Sequence, residues 1–480
     1  MKKQMPGVYI DGHWSAPHST TSIKAVNPAT EETLGDIPDC DAADVDAAVR
    51  AAETAFRSSG WAQLTPAERS PYLRRLGDEL QSRSKAISEL VTSENGSPIT
   101  VSRSLNGEKP SALVRYYAEL AQALEVEEVR TSAGRTPIVR REPVGVAALI
   151  VAWNGPQSLA AKKIVPALVA GCCVVMKPSP ETSFDAKLIM DSVEAAGVPP
   201  GVVNMVTGGV ETGRALVRHP QVRKVSFTGS TGAGRDIATA CASTLKRVSL
   251  ELGGKSAAII LEDADLDAFL ALAPRVCLNN TGQGCLLSTR VLAPRSRYEE
   301  ICDGLVDRIA SLKVGDPMDE DTAFGPVVSA RQRQRVEGYL DRGRSEGAKC
   351  LTGGGRPRQL PRGFCVEPTI FSAVSNNMTI AREEIFGPVL VVIPVDSEDE
   401  AIKTANASDY GLGGTVFTRD AAHGADVARR IETGTIGVNG YTQDMNAPFG
   451  GVKQSGIGRE QGPEGLDSYF ELKSIYVDVR

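Results

Sequence analysis

A chain of 480 residues, 41% of them hydrophobic, is too long for a single core, so two or three domains are expected. Its formal net charge of −6 argues against nucleic acid and anionic membranes as partners. No stretch nears the roughly 20 apolar residues of a bilayer span, and "MKKQMPGVYIDGHW" lacks the apolar core of a secretory signal, so the expected location is the cytoplasm.

In chain order, residues 43 to 125 read as mainly helical. "VEEVRTSAGRTPIVRRE" follows, a hairpin-like pair of strands around Ser132 to Arg135. From about 144 one unit repeats: "VGVAALIVAW", "CCVVMKPS", "VVNMVTGG", "KVSFTGS" and "RVSLELGG" are short apolar runs bounded by Gly or Pro. Their spacing leaves room for a helical crossover between parallel strands. In "ETSFDAKLIMDSVEAAGVPP", Ile189, Val193 and Ala196 recur at helical spacing, and Gly197 with Pro199 supplies the stop. A second α/β unit runs from about 255 to 440, with "STRVLA", "PVLVVIPV", "GGTVFT" and "TIGVNG" as strands and "YEEICDGLVDRIASL" as a helix. The expected fold is therefore two doubly wound parallel α/β domains, which bind ligands at the carboxyl ends of their strands. Residues 1–124 and 144–252 would form one domain and 253–440 the other. The orphan segments 125–143 and 465–480, ending in "SIYVDVR", would form a small β element that pairs with another subunit, because isolated hairpins are marginal in water.

Nine cysteines without periodic spacing do not read as a disulfide framework. No CxxC or HExxH pattern appears, so no metal is expected. Cys172 and Cys173 lie in a run suited to a buried strand. Cys285, in "NNTGQGCLLSTR", is different: Gly282, Gln283 and Gly284 precede it, and their lack of bulk suggests a thiol that another molecule can reach. A thiol at its ordinary pKa needs a base to attack, yet His13, His18, His219 and His423 all sit outside motif-like settings. "LELGGKS" offers a carboxylate instead, delivering Glu251 to a strand end before two glycines. "FTGSTGAGR" opens a helix after a strand, so Gly229, Ser230 and Gly234 could present backbone N–H groups to a phosphate. By itself that stretch fits a capped turn equally well. Lys177 in "MKPSPE" suits a ribose or phosphate contact or a snorkelling surface position, and Asn154 in "VAWNGP" suits an oxyanion donor or a turn.

Taken together, "AWNGP", "KPSPE", "FTGSTGAGR", "LELGGK", "GQGC", "EEIFGPV" and "PFGGVKQSGIGRE" resemble the aldehyde dehydrogenase superfamily, in family order and across nearly the whole chain. The resemblance implies oxidation of an aldehyde to a carboxylate through a thiohemiacetal and a thioester on Cys285. It makes Glu251 the general base, Asn154 an oxyanion donor and Lys163 an aid to proton movement. It implies NAD as cofactor, NADP not being excluded, with Lys177 and Ser230 at the adenine ribose and pyrophosphate. Glu384 and Phe386 belong near the nicotinamide ribose, while Trp153, Ser179, Gly229, Gly234 and Leu252 complete the cofactor set. The orphan strands match those through which the family forms dimers and tetramers.

Several positions depart from the family pattern. Pro180 stands where a ribose-binding glutamate is common, with the acid displaced to Glu181. Gly155, Lys162, Gly284 and the polar "YTQDMN" replace bulkier or more apolar residues, so a wide mouth and a bulky or functionalised aldehyde are expected. Two rivals to this function are a CoA-acylating relative, disfavoured by Glu251, and a catalytically silent homologue that keeps the fold.

Overall fold

The computed structural model describes residues 3–131 and 135–477. Two large sheets organise the chain. The first has eight strands in the spatial order Gly456–Ile457, Arg247–Glu251, Val222–Thr228, Val146–Ile150, Cys173–Lys177, Val203–Met205, Val8–Ile10 and His13–Ser15. Its five central strands are parallel, and antiparallel strands close both edges. The strand Val146–Ile150 has its successor Cys173–Lys177 on one side and Val222–Thr228 on the other. The winding reverses there, and loops leaving the carboxyl ends on either side of such a point diverge and leave a crevice.

The second sheet has seven strands, ordered Lys349–Thr352, Thr369–Ser372, Val389–Val395, Arg290–Pro294, Ala257–Ile260, Gly414–Phe417 and Gly437–Val438. All pairs but the first are parallel. Ala257–Ile260 and Thr369–Ser372 are buried along their whole length, four residues each, too short for their pattern alone to isolate them. Residues 42–123 form a helical layer against the first sheet, started by the capping boxes Asp41/Asp44 and Thr65/Glu68.

The helix Pro156–Ala170 is buried nearly all round, and only Leu159 is partly exposed. It is enclosed between that layer and the sheet, so its two lysines are taken out of water with it. A third, three-stranded sheet joins Glu127–Val129, Ile138–Pro143 and Phe470–Ile475. It carries Val129 and Leu472 largely exposed. The expected turn at Ser132 to Arg135 and the end of "SIYVDVR" fall partly outside the described residues. Among the described residues no helix is long and apolar enough to cross a membrane.

Candidate active site

The crevice at the winding reversal is a cleft of about 640 Å³, within the range of cofactor and ligand sites. Strand ends of the first sheet bring Trp153, Asn154, Lys177 and Ser179 to one part of its wall, and Gly229, Ser230 and Leu252 to another. The opposite wall comes from the amino ends of the second sheet. Cys285 lies in the loop before Arg290–Pro294, and Glu384 and Phe386 lie in the loop before Val389–Val395. Glu251, Lys163 and Gly234 are not on that wall. Gly234 acts through Leu252, because a Cβ there would stand 2.5 Å from Leu252 Cδ2.

The loop carrying Cys285 is wound tightly. Asn280, Thr281 and Gly282 all have positive φ, at 52°, 56° and 72°, and such strain persists only where surroundings enforce it. The polar residues do the enforcing: Thr281 Oγ1 accepts from Gly325 N at 3.0 Å, Gln283 Oε1 accepts from Val328 N at 2.9 Å, and Asn280 Nδ2 donates to the Asn154 carbonyl at 3.0 Å. The glycines correct the sequence expectation. A Cβ at Gly282 would stand 2.0 Å from the Gly387 carbonyl oxygen, and one at Gly284 would meet Leu287 at 3.0 Å. Both are small for the sake of loop packing. Gly254 likewise lets two loops close on one another, since a Cβ there would come within 2.3 Å of the Cys285 carbonyl oxygen.

Of the nine free cysteines only Cys285 and Cys350 are partly exposed. Burial pushes the Cys285 thiol up to about 12, Glu384 and Glu251 add to this, and Lys162 opposes it. Asn154 Nδ2 donates one hydrogen to the Gln283 carbonyl at 3.1 Å, which leaves its second N–H unused by that bond.

Glu251 is 3% exposed, and neither carboxylate oxygen has a hydrogen-bond partner among the described residues. Burial, then the charge of Glu460, holds its carboxyl well above the usual carboxylate range, against the pull of Lys163 and Lys162. Lys163 is fully buried; its ammonium pairs with Glu460 and donates to Ser226 Oγ at 3.2 Å. Glu460 is the functional residue that the sequence reading missed. It closes the "GIGRE" stretch, and its one available signal was an acid in a glycine-rich loop. None of the histidines lines the cleft: His18, His219 and His423 pair with Asp41, Asp46 and Glu398, and His13 bonds the Asp11 carbonyl.

The wall suits a dinucleotide. The twelve-residue helix Thr231–Ala242 begins at the cleft with Ser230 as its cap, giving an anion-binding end. Lys177 is 5% exposed and donates only to the Pro178 carbonyl; burial pushes its ammonium down to about 8. Glu384 accepts from Gly254 N at 3.0 Å, and burial raises its carboxyl to about 7. Gly253 lacks the Cβ that would strike that carboxylate at 2.5 Å. Phe386, held at φ 60° by Gln332 Nε2 on its carbonyl at 2.8 Å, meets the Trp153 ring edge-on at 5.3 Å. Gln332 and Arg335 line the cleft from the helix Ala330–Ser345, and no sequence motif marks them.

The expected wide mouth is also corrected in part. A Cβ at Gly155 would meet Leu105 at 3.2 Å, so leucine fills the room that glycine leaves. What remains unusual is polarity: Lys162 is buried with its ammonium 4.5 Å from the Phe449 ring centre, and Lys109 Nζ donates to Gln443 Oε1 at 2.6 Å.

The model of the aldehyde dehydrogenase family matches residues 14–475. Geranial dehydrogenase of Castellaniella defragrans is 49% identical over 471 residues, covering 98% of each chain. The 3-succinoylsemialdehyde-pyridine dehydrogenase of a Pseudomonas species is 43% identical, covering 97% of each. The structure of a Mycobacterium tuberculosis aldehyde dehydrogenase complexed with NAD+ superposes with a TM-score of 0.98 at 44% identity, covering 100% of this chain and 99% of that one.

Proposed function

The chain belongs to the aldehyde dehydrogenase family and is an NAD-dependent enzyme that oxidises an aldehyde; we propose that it does so through a covalent thioester on Cys285, with Glu251 bringing in water. One observation carries this reading: a single cleft holds a partly exposed thiol together with a helix N-terminus and a buried lysine suited to a dinucleotide.

In this reading Sγ bonds to the aldehyde carbon as the carbonyl electron pair moves onto oxygen. Asn154 and the Cys285 backbone N–H supply two donors to that oxygen, worth about 3 kcal/mol each in a dry site. The thiolate is the nucleophile, so the Cys285 proton passes to water in the cleft before Sγ bonds to the carbon. NAD, when bound, supplies a nicotinamide ring that takes hydride from the same carbon. Ser230 and the helix start would hold its pyrophosphate, Lys177 and Ser179 one ribose and Glu384 the other, with Trp153, Leu252 and Phe386 lining the same cleft. Glu251 then takes a proton from the water that attacks the thioester carbon. Its unpartnered, buried oxygens make it a stronger base than an exposed carboxylate. Cleavage of the C–S bond releases the carboxylate and restores Cys285. Burial raises the pKa of Glu251 most, Glu460 adds to this and Lys163, paired with Glu460, opposes it.

Glu181 supports a preference for NAD over NADP. Ser179, on the cleft wall, donates to its carboxylate, so a negative charge stands where a 2′-phosphate would have to approach. Residues 1–124 with 144–252 make the cofactor domain in this assignment, and residues 253–440 the catalytic one. The three-stranded sheet of 125–143 and 465–480 is assigned to dimer or tetramer assembly, which its exposed Val129 and Leu472 favour. Nine free thiols favour the reducing cytoplasm. The test is Cys285→Ser, which leaves no cavity and so should fold. NADH formation should vanish, and acid quenching of the wild type in turnover should trap one acyl group at Cys285 by mass spectrometry. Retained turnover would move the nucleophile elsewhere.

A further inference from the structure

Off the cofactor wall, two lysines, Lys162 and Lys109, form no ion pair among the described residues. Lys162 is 6% exposed and, among the described residues, has no ion pair and no hydrogen bond; its nearest feature is the face of Phe449. A ring face attracts a cation without cancelling its charge. Lys109 bonds only the neutral amide of Gln443. Lys109 is half-buried at the start of the helix Lys109–Ala123, which packs against the helix that carries Lys162; burial, then Lys162, pushes it down to about 7.

That region adjoins the base: Phe449, whose ring Lys162 faces, is followed by Gly450, where an added Cβ would stand 2.7 Å from Glu251 Oε1. The charge of Lys162 acts on both Cys285 and Glu251. Tyr441, which bonds Gln443, is itself influenced by Cys285 and Glu251. None of Lys109, Lys162, Tyr441 and Gln443 is on the cofactor wall. The nearby acids do not pair with either lysine: Glu251 forms no ion pair, Glu460 is taken by Lys163, and Glu384 faces the cofactor side. A buried ammonium without a counter-charge is costly, and a ligand that brings the missing charge relieves that cost.

Resting on the assignment of Cys285 as nucleophile, we propose that Lys162 and Lys109 form a recognition site for an anionic group, a carboxylate in the simplest case, carried on the aldehyde substrate away from its reacting carbon. The enzyme then prefers aldehydes of this kind over plain alkanals and rejects cationic ones. Tyr441 and Gln443 supply neutral hydrogen bonds beside the pair.

The test compares kcat/KM, with NAD saturating, for straight-chain aldehydes ending in methyl, carboxylate or trimethylammonium over a series of chain lengths. At the best length the carboxylate should exceed the methyl compound by at least about tenfold, as expected for a contact with one or two charged donors, and the cation should be the poorest. Lys162→Met and Lys109→Met should each lower the carboxylate-to-methyl ratio about tenfold or more, mainly through KM, and Lys162→Arg should restore most of it. A variant that fails to fold is replaced by a measurement on the wild type: a dicarboxylate, but not a diamine of equal length, should protect Cys285 from iodoacetamide. Preference for the alkanal at every length, a ratio unmoved in folded variants, or equal protection by diamine would overturn the proposal. Those results leave the Cys285 assignment standing, whereas turnover retained in Cys285→Ser would overturn the assignment beneath it.

Discussion

Gly254 holds the two halves of the site together, and a single methyl group tests that. Its N–H donates to Glu384 at 3.0 Å, and its Cα faces the Cys285 loop, where an added Cβ would lie 2.3 Å from the Cys285 carbonyl oxygen. A relaxed carbon–oxygen contact is about 3.3 Å or more, so Gly254→Ala must push the loops apart by about 1 Å. Gly254 is not among the positive-φ glycines, so alanine adds no backbone strain and the effect is purely one of contact. Overpacking of this kind costs about 1–3 kcal/mol of stability. Misplacing a reacting group by 1 Å costs about a hundredfold in rate, equivalent to roughly 2.7 kcal/mol of barrier. Steady-state NADH formation with saturating aldehyde and NAD should therefore show kcat down about a hundredfold, while thermal unfolding moves by only a few degrees. The control is Gly338→Ala in the helix Ala330–Ser345, where nothing lies within 4 Å of the added Cβ. There the helix should gain about 0.5–1 kcal/mol with turnover kept. Wild-type kcat in Gly254→Ala would refute the claim that this contact positions the thiol.

Two further outcomes are expected. Glu251→Gln should release one equivalent of NADH and then stall at the thioester; because the raised acid must be ionised to act as a base, wild-type kcat should climb with pH at values above the ordinary carboxylate range, and a wild-type profile flat in pH, or an undiminished steady rate in the variant, would remove Glu251 from its role. Lys177→Met should weaken NAD binding about tenfold or more by fluorescence titration. Since Lys177 loses its proton near pH 8, wild-type affinity should weaken above that pH and the variant's should not; equal affinities at pH 7 would count against the ribose contact.

Much of the frame was legible in the residues themselves. The runs "CCVVMK" and "VSFTGS" are continuous apolar stretches cut by turn residues, and a parallel strand covered on both faces requires just that. Lys177, Ser230 and Leu252 could be placed at strand ends because each directly follows or closes such a run. The short flanking strands Val8–Ile10, His13–Ser15 and Gly456–Ile457 were not legible, being too short to show a period.

What the sequence determined by itself was local: which segments alternate as strand and helix, where each strand stops, and which side chains stand at those stops. Tertiary structure alone decided that Gly282 yields to Gly387 and not to a substrate, that Lys163 finds Glu460 a separation of 297 residues away, and that Lys162 is buried, and Lys109 half-buried, without an acid paired to either. The physical reason is that backbone preference and hydrophobic period act over a few neighbouring residues, whereas burial, and with it the acidity of Glu251 and the unpaired charge of Lys162, depends on how two sheets and a helical layer close around a point that no short segment specifies.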